Sequence, residues 1–356
     1  MKNLNDIKGI EATDQQNMRS VLADFPKHCQ EAFQLGKKIS LPLDFAKVKN
    51  ILFSGMGGSA IGAEIVSSYL RKEVKVPIGL NRDYSLPEFV NKETLAILIS
   101  YSGNTEETLS AYEEAFEKRA KIVILTSGGK LADLAKKRGH PYIIVPSGFP
   151  PRVALAFVSF PTLAFFSQMH LIQDKQNQID EISTLLEKLK QKSLGLAVEK
   201  ESNPAKALAE RLFDNFCVIY GSSEHLSAVV TRWRGQLAEN SKILSSSHLL
   251  PEMNHNEIVG WQHPKEILEK FVAVFLRDKQ DHPQVQKRIE INKEILQKEG
   301  VRLEEVWSQG EGLLARIFSL IYLGDFLSYY LAVLNGEDPT PVKRIDYLKR
   351  RLKELK

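Results

Sequence analysis

The sequence is poor in cysteine and in net charge, and both shortages narrow what the protein can be. Cys29 and Cys217 are the only cysteines among 356 residues, and neither belongs to a CxxC. Two thiols do not make a disulfide framework in so long a chain, so a reducing, cytoplasmic compartment is expected and both are interpreted as packing residues. The net charge of +4 is too small to indicate nucleic-acid binding. Residues 1–20 also lack the apolar core of a signal peptide.

Long apolar runs free of polar residues are missing as well. The stretch 153–172 is interrupted by Pro161 and Gln168, and the stretch 313–334 contains Arg316. A membrane span needs about 20 predominantly apolar residues with few or no charges. Both stretches are therefore interpreted as helices buried inside the fold or at a subunit interface, and no membrane partner is expected.

The chain does contain short apolar runs that alternate with helical patterns. The runs in the first half are 48–53, 94–100, 121–126 and 141–145. Continuous apolar runs are typical of strands buried on both faces, and strands that alternate with helices predict βαβ units and a parallel sheet. The predicted fold class is therefore α/β. In this division residues 1–45 form N-terminal helices and residues 46–172 form a first domain.

The second half is predicted to have the same organisation. Residues 173–204 are polar and predict a helical connector, after which strands at 216–220 and 270–276 belong to a second domain over 205–335. Residues 336–356 form a C-terminal segment whose basic helix is interpreted mainly as a solvated face.

The two halves resemble each other as a diverged repeat. The segment NILFSGMGGSA at 50–60 parallels NFCVIYGSSEH at 215–225, and TLAILISYSGNT at 94–105 parallels FVAVFLRDKQDH at 271–282. The second copy has lost most of the glycines and hydroxyls of the first. This asymmetry predicts one phosphate site per chain, in the first half.

A glycine-rich turn, GMGGS at 55–59, lies between a predicted strand and a predicted helix. Glycines let backbone N–H groups approach an anion at the start of a helix. No GK[ST] follows and the GxGxxG register is absent, so neither a P-loop nor a dinucleotide site is expected. Alone, the turn could also be a plain tight connection between strand and helix.

A second turn, SYSGNT at 100–105, places hydroxyl side chains at the carboxyl end of a buried strand. These hydroxyls could simply cap the next helix, with Ser102 or Thr105 at the N-cap. Because both turns follow neighbouring strands of a parallel sheet, together they favour a shared phosphate site.

At these two turns the sequence resembles the sugar isomerase (SIS) superfamily, because SGMGGSAIGAE and SYSGNTEETL are similar to its phosphosugar-binding motifs. Four further segments resemble the bifunctional phosphoglucose/phosphomannose isomerases in the same order: PPRVAL at 150–155, QLAENSK at 236–242, PEMNHNEIVGW at 251–261 and DPTPVK at 338–343. The resemblance covers nearly the whole chain. It implies two SIS-type, flavodoxin-like, three-layer αβα subdomains with parallel sheets, related as a diverged internal repeat.

The resemblance also implies roles for individual residues. Aldose–ketose isomerisation moves a proton between C1 and C2 through an enediolate, which needs a base, groups that open the sugar ring and a cation. By resemblance, Glu239 is the base, His255 and Lys343 open the ring, and Arg152 stabilises the enediolate. The substrate phosphate is implied to bind Gly57, Gly58, Ser59, Ser100, Ser102 and Thr105.

Each of these side chains has a plainer interpretation. Glu239 could be an exposed helical carboxylate, His255 a hydrogen-bonded structural histidine, and Lys343 one cation of the basic helix. A zinc site with His248 and His263 would involve His255 too, but spacings of seven and eight residues without an HxxxH do not favour it. No metal and no cofactor are expected.

The implied activity is the interconversion of glucose 6-phosphate and fructose 6-phosphate, with mannose 6-phosphate as a further substrate. Since the phosphate ligands lie in the first half and Glu239 in the second, the site must lie between the halves. The family is dimeric, which implies a homodimer in which His255 acts in its own or the neighbouring subunit's site.

Two other functions remain as alternatives. One is a non-catalytic phosphosugar-binding SIS protein or regulator, which the lack of a visible helix-turn-helix disfavours. The other is a sugar-aminating amidotransferase. That enzyme would need a nucleophilic cysteine near residue 2, and Cys29 is misplaced for this role.

Overall fold

Two parallel sheets with flanking helices organise residues 3–355, the part of the chain that the computed structural model describes. In the first half the elements are α1 Ile7–Thr13, α2 Met18–Lys37, β1 Asn50–Gly55, α3 Gly57–Leu70, β2 Ile78–Asn81, β3 Thr94–Ile99, α4 Glu106–Glu117, β4 Lys121–Thr126, α5 Gly129–Arg138, β5 Tyr142–Ile144 and α6 Leu155–Gln168. In the second half they are α7 Gln176–Leu189, α8 Pro204–Leu212, β6 Phe216–Ser222, α9 Ser227–Glu239, β7 Ser245–Leu250, α10 Lys265–Leu268, β8 Phe271–Arg277, α11 Pro283–Lys298, β9 Arg302–Trp307, α12 Leu313–Leu334 and α13 Lys343–Glu354.

The first sheet has the strand order β2-β1-β3-β4-β5, and every neighbouring pair is parallel. All six residues of β3 are buried, as its continuous apolar run predicts. The sequence does not predict β2, because this four-residue edge strand is only partly buried and lies in no apolar run. The order reverses between β1 and β3, so the turns that follow these two strands lie side by side at the carboxyl edge of the sheet.

The second sheet has the strand order β7-β6-β8-β9, again with all pairs parallel. This order matches β2-β1-β3-β4 of the first sheet. The predicted α/β class, with two flavodoxin-like subdomains related by an internal repeat, is therefore confirmed. The sequence does not predict β7, because three serines open it and most of its residues are only half-buried.

Two apolar helices occupy equivalent places in the two halves. α6 packs against α2, and α12 packs against α8, so each sheet is followed by a buried helix beside the helix that precedes it. By length and composition α12 is the one helix among residues 3–355 that could cross a membrane, yet its most apolar window is wholly buried by the rest of the fold. This agrees with the interpretation of the stretch as a core helix.

The halves meet where α3 packs against α9, and the Ser68 and Ser227 hydroxyls lie 3.3 Å apart across that contact. Both cysteines are buried and unpaired, as predicted for packing residues. Burial raises the pKa of the Cys217 thiol to about 12 and that of Cys29 well above its ordinary value. Neither thiol is therefore a reactive thiolate at neutral pH.

Candidate active site

The glycine-rich turn leads into α3, and the segment Pro151–Val153 packs against its Gly58. Gly57 has φ +51°, and the space around it is open. A Cβ on Gly58 would lie 2.7 Å from the Pro151 carbonyl oxygen and 3.1 Å from Arg152 Cα. Position 58 thus has to be glycine for the 3₁₀ turn Pro151–Val153 to lie directly on the first turn of α3.

The hydroxyl-rich turn lies beside the glycine-rich one. Ser59 is buried, and its Oγ accepts a 3.2 Å hydrogen bond from the Tyr101 backbone N–H. The Ser100 and Thr105 hydroxyls lie 2.9 Å apart. Gly103 has φ +67°, and a Cβ there would collide with the Gly128 carbonyl oxygen at 1.7 Å.

The alternative that these hydroxyls merely cap α4 fits only in part. Thr105 occupies the N-cap position, but its side chain makes no capping hydrogen bond. The Ser102 hydroxyl is exposed and accepts from the Asn104 N–H at 3.3 Å within the turn itself. Neither hydroxyl therefore makes a capping hydrogen bond to α4.

Arg152 connects this cradle to the second half of the chain. Its side chain is 4% exposed and its Nε donates to Asn240 Oδ1 at 2.6 Å. Its Nη2 donates to the carbonyl oxygens of Pro339 and Thr340, both at 2.8 Å. Its Nη1 lies 3.5 Å from Glu239 Oε2. Burial lowers the pKa of Arg152 while Glu239 opposes that shift, and a guanidinium stays charged in either case.

Glu239 and Lys343 line one cleft of about 1130 Å³. Glu239 is the last residue of α9, and its side chain is 32% exposed. Lys343 is the first residue of α13, a helix in which no residue is buried. The structure thus places Arg152 beside Glu239 and against the turn that contains Gly58, and Lys343 lines the same cleft as Glu239.

His255 lies in a different cavity from Glu239. It is exposed in the loop after β7 and lines a cavity of about 510 Å³ that also contains Arg288 and His282. Two hydrogen bonds connect this loop to Tyr220 of β6. Trp261 Nε1 donates to the Tyr220 hydroxyl at 3.0 Å, and that hydroxyl donates to Glu257. Within residues 3–355 of one chain, the structure does not place His255 with the other predicted catalytic side chains.

His248, His255 and His263, the histidines considered for a zinc site, do not form a metal-binding cluster. No group of three or more His, Cys, Asp or Glu side chains in the described range could hold a metal ion. His248 Nδ1 instead accepts a 2.8 Å hydrogen bond from the Leu249 N–H.

A buried polar network behind Arg152 was not found by sequence reasoning. Arg232 donates to both carboxylate oxygens of Asp325, at 3.0 and 2.8 Å, and to the Arg152 carbonyl oxygen at 3.0 Å. Gln236 donates to Asp325 Oδ1 at 2.9 Å, and Asn240 donates to Ser328 Oγ at 2.9 Å. The available signal was Asp325 inside the long apolar helix α12, because such a charge is buried only when it is paired.

The second sheet ends differently from the first at the corresponding edge. Asp278, directly after β8, is fully buried and accepts from Ser308 Oγ at 2.8 Å, Arg316 Nε at 2.8 Å and the Gln280 N–H at 2.7 Å. A carboxylate with its own donors therefore stands in the turn that corresponds to the hydroxyl-rich turn of the first sheet.

The fold and these turns define a protein of the SIS class. A family model described as the SIS domain matches residues 44–169, and one described as the bacterial phospho-glucose isomerase C-terminal SIS domain matches residues 201–352. A solved structure of a hypothetical protein from Thermus thermophilus superposes with a TM-score of 0.74 at 15% identity, over 97% of this chain and 94% of that one. At this identity the likeness shows the fold alone.

Curated relatives narrow the class to a family. A bifunctional phosphoglucose/phosphomannose isomerase of Caldicellulosiruptor bescii is 42% identical over 94% of this chain and 98% of its own. One of Aquifex aeolicus is 39% identical over 87% of this chain and 92% of its own. The chain belongs to the bifunctional phosphoglucose/phosphomannose isomerase family, as its motifs predict.

Proposed function

We propose that this protein interconverts glucose 6-phosphate and fructose 6-phosphate, and also mannose 6-phosphate, by proton transfer through an enediolate. The observation that carries the proposal is the position of Arg152. This buried cation rests on the glycine-rich turn at Gly58 and lies 3.5 Å from Glu239 Oε2. Arg152 thereby connects a proposed phosphate site to a proposed carboxylate base. Residues 46–172 supply the phosphate site, and residues 205–335 supply the base.

In the proposed complex the substrate phosphate is held by the two turns that follow β1 and β3. Gly57 and Gly58 offer backbone N–H groups at the start of α3, and hydroxyls come from Ser59, Ser100, Ser102 and Thr105. A phosphate dianion bound there gains from the start of α3 and from that of α4. The sugar carbons then extend towards the cleft that contains Glu239.

The chemistry begins with ring opening. A proton leaves the anomeric hydroxyl and another reaches the ring oxygen, and Lys343 and His255 are the proposed groups for these transfers. Glu239 then takes the proton from C2 of the open-chain aldose and returns it to C1, while the proton of the O2 hydroxyl passes to O1 and leaves a ketone at C2. The negative charge that develops on the enediolate oxygens is stabilised by the Arg152 guanidinium, whose orientation is already fixed by four contacts. These steps need neither a metal nor another cofactor, so a chelator is expected to leave turnover unchanged.

Because His255 and Glu239 line separate cavities in one chain, we propose a homodimer in which His255 completes the neighbouring subunit's site. Cysteine usage supports a cytoplasmic location.

The experiment that tests the proposed base is Glu239→Gln. We expect kcat for all three hexose 6-phosphates to fall by roughly 10²- to 10⁴-fold, the range for loss of a general base, with an unchanged circular-dichroism spectrum. The matched control is Glu337→Gln, which removes another carboxylate from the same cleft and is expected to stay within about twofold of wild type.

Two outcomes would contradict the proposal. Normal turnover by Glu239→Gln would show that the base lies elsewhere. Tight binding of glucose 6-phosphate by the wild-type protein without any turnover would favour the non-catalytic regulator instead.

A further inference from the structure

Lys242 ties the end of α9 to the segment that leads to Lys343. Its Nζ donates to the carbonyl oxygens of Glu239 at 2.6 Å, Asn240 at 3.3 Å and Pro339 at 3.3 Å. The first two carbonyls belong to the end of a helix, where backbone acceptors have no partner within the helix. The third belongs to residues 336–342, which we name the strap because they run from α12 to α13.

The backbone conformation of Lys242 is an unfavourable one for lysine. Its φ is +62°, in the left-handed region that residues with a Cβ rarely adopt. Its side chain is also half-buried, and burial, followed by the nearby Arg152 charge, lowers the pKa of the ammonium. A strained backbone and a desolvated charge persist only where the surrounding contacts compensate for them. The three carbonyls are those contacts.

The strap is held at the same point by a second cation. Arg152 Nη2 and Lys242 Nζ both donate to the Pro339 carbonyl oxygen. Proline on both sides of Thr340 restricts the chain from there to Lys343. Downstream of Lys343, α13 has no buried residue that could fix its position. The contacts of the strap are therefore what sets the place of Lys343 in the cleft.

We propose that Lys242 is a positioning residue that keeps the Glu239 carboxylate and the Lys343 ammonium in register across the cleft. Lys242 lines the cleft itself, but its three hydrogen bonds go to backbone carbonyls, so it acts through the strap and the end of α9. This inference rests on the proposed isomerase function, because it gives Lys242 a role only if Glu239 and Lys343 act on one substrate.

The test compares Lys242→Met with a lysine that makes the same kind of contact elsewhere. Lys206 is buried, and its Nζ donates to the carbonyl oxygens of Leu196 and Val198 at 2.9 and 2.8 Å, away from the cleft. Lys242→Met should lower kcat by roughly 10- to 100-fold, since misplacement of catalytic groups by about 1 Å has that effect. KM should stay within about threefold, because the phosphate cradle is untouched. Lys206→Met should lower the melting temperature and leave kcat of the folded protein near the wild-type value.

Two further variants separate positioning from a general loss of structure. Lys242→Arg keeps the charge and the donors, and we expect it to recover part of kcat. In a double-mutant cycle, Lys242→Met should have a much smaller effect in a Lys343→Met background than in wild type, because there is no longer an ammonium to place.

The inference fails if Lys242→Met retains wild-type kcat, if its loss only tracks the unfolded fraction, or if the two effects are fully additive. Glu239→Gln, assayed in parallel, distinguishes a failure of the inference about Lys242 from a failure of the proposed base. Normal turnover by Glu239→Gln would reject Glu239 as the base and with it the arrangement that Lys242 is proposed to position, whereas an inactive Glu239→Gln beside a fully active Lys242→Met would reject only the role of Lys242.

Discussion

At the residue scale, the absence of a side chain at Gly58 determines where Arg152 can lie. Gly58 allows the 3₁₀ turn Pro151–Val153 to rest on α3, and Arg152 in that turn then reaches Glu239, Asn240 and the strap. The sequence shows the glycine, and a family resemblance suggests that it binds phosphate. Only the packing shows its second role as the seat for Arg152.

Gly58→Ala is predicted to damage activity more than stability. The new Cβ would lie 2.7 Å from the Pro151 carbonyl oxygen, so the turn must shift and carry Arg152 with it. We expect a loss of roughly 10-fold or more in kcat/KM, with a stability loss of about 1–3 kcal/mol, measured by steady-state kinetics and urea unfolding.

The matched control for this prediction is Gly235→Ala. Gly235 lies within α9, and a Cβ there would meet nothing within 4 Å. This change should stabilise the protein by up to about 1 kcal/mol through helix propensity and leave kinetics unaltered. Equal kinetic effects of the two alanines would argue against Gly58 as the support of Arg152.

At the element scale, strand ends and helix ends carry the functional differences between two similar halves. The ends of β1 and β3 present glycines and hydroxyls, whereas the end of β8 presents Asp278 already bonded to Ser308 and Arg316. The strands themselves are alike in order and in direction. The repeat therefore keeps the order of four parallel strands and changes the turn after β8 relative to the turn after β3.

The contacts of Asp278 predict a pH-dependent contribution to stability. Burial by itself would raise the pKa of this carboxyl, but the His225 ring nitrogen 3.7 Å away and hydrogen bonds from Gln280, Ser308 and Arg316 bring the pKa well below the ordinary value. A carboxyl with a depressed pKa stabilises the fold above its unfolded pKa of about 3.9 and loses that contribution as the pH falls towards the folded value. Asp278→Asn should therefore cost about 3 kcal/mol at pH 7.

The measurement is urea unfolding of both proteins between pH 7 and pH 3. The difference between wild type and Asp278→Asn should stay constant down to about pH 5 and shrink below about pH 4. A difference that does not change with pH would mean that shape and hydrogen bonding, and not the charge of Asp278, account for the loss.

At the scale of the whole molecule, the position of His255 is the feature that a single chain leaves unexplained. It lines the cavity of about 510 Å³, while Glu239 and Lys343 line the cleft of about 1130 Å³. The proposed homodimer accounts for this separation, because a two-fold axis can bring the His255 loop of one subunit to the cleft of the other.

Mixed dimers of Glu239→Gln and His255→Ala subunits test this arrangement. If His255 acts across the interface, one site of each mixed dimer contains both intact residues, and about half of the wild-type activity per mixed dimer should return. If His255 acts in its own subunit, every site contains one defect and mixing should restore nothing. Differently tagged subunits, coexpressed and purified for both tags, provide the sample, and each pure variant provides the baseline.

Much of the fold was predictable because local signals were strong. The buried strands β1, β3, β4, β6 and β8 are short apolar runs, and the buried helices α6 and α12 are long ones. The edge strands β2 and β7 were not predictable, since half-exposed strands with polar residues lack that signal and are defined by their neighbours.

The sequence by itself determined the α/β class, the repeat and the positions of the glycine-rich and hydroxyl-rich turns, because these depend on residue types at short spacing along the chain. The tertiary structure alone decided that Arg152 packs on Gly58 and lies beside Glu239, and that Lys242 donates a hydrogen bond to the strap. It also decided that His255 lines a different cavity from Glu239. These relations join residues up to 188 positions away in the chain, as in the contact of Arg152 with Thr340. Contacts at such separations are set by the packing of α3, α9 and α12 and leave no periodic trace in the sequence.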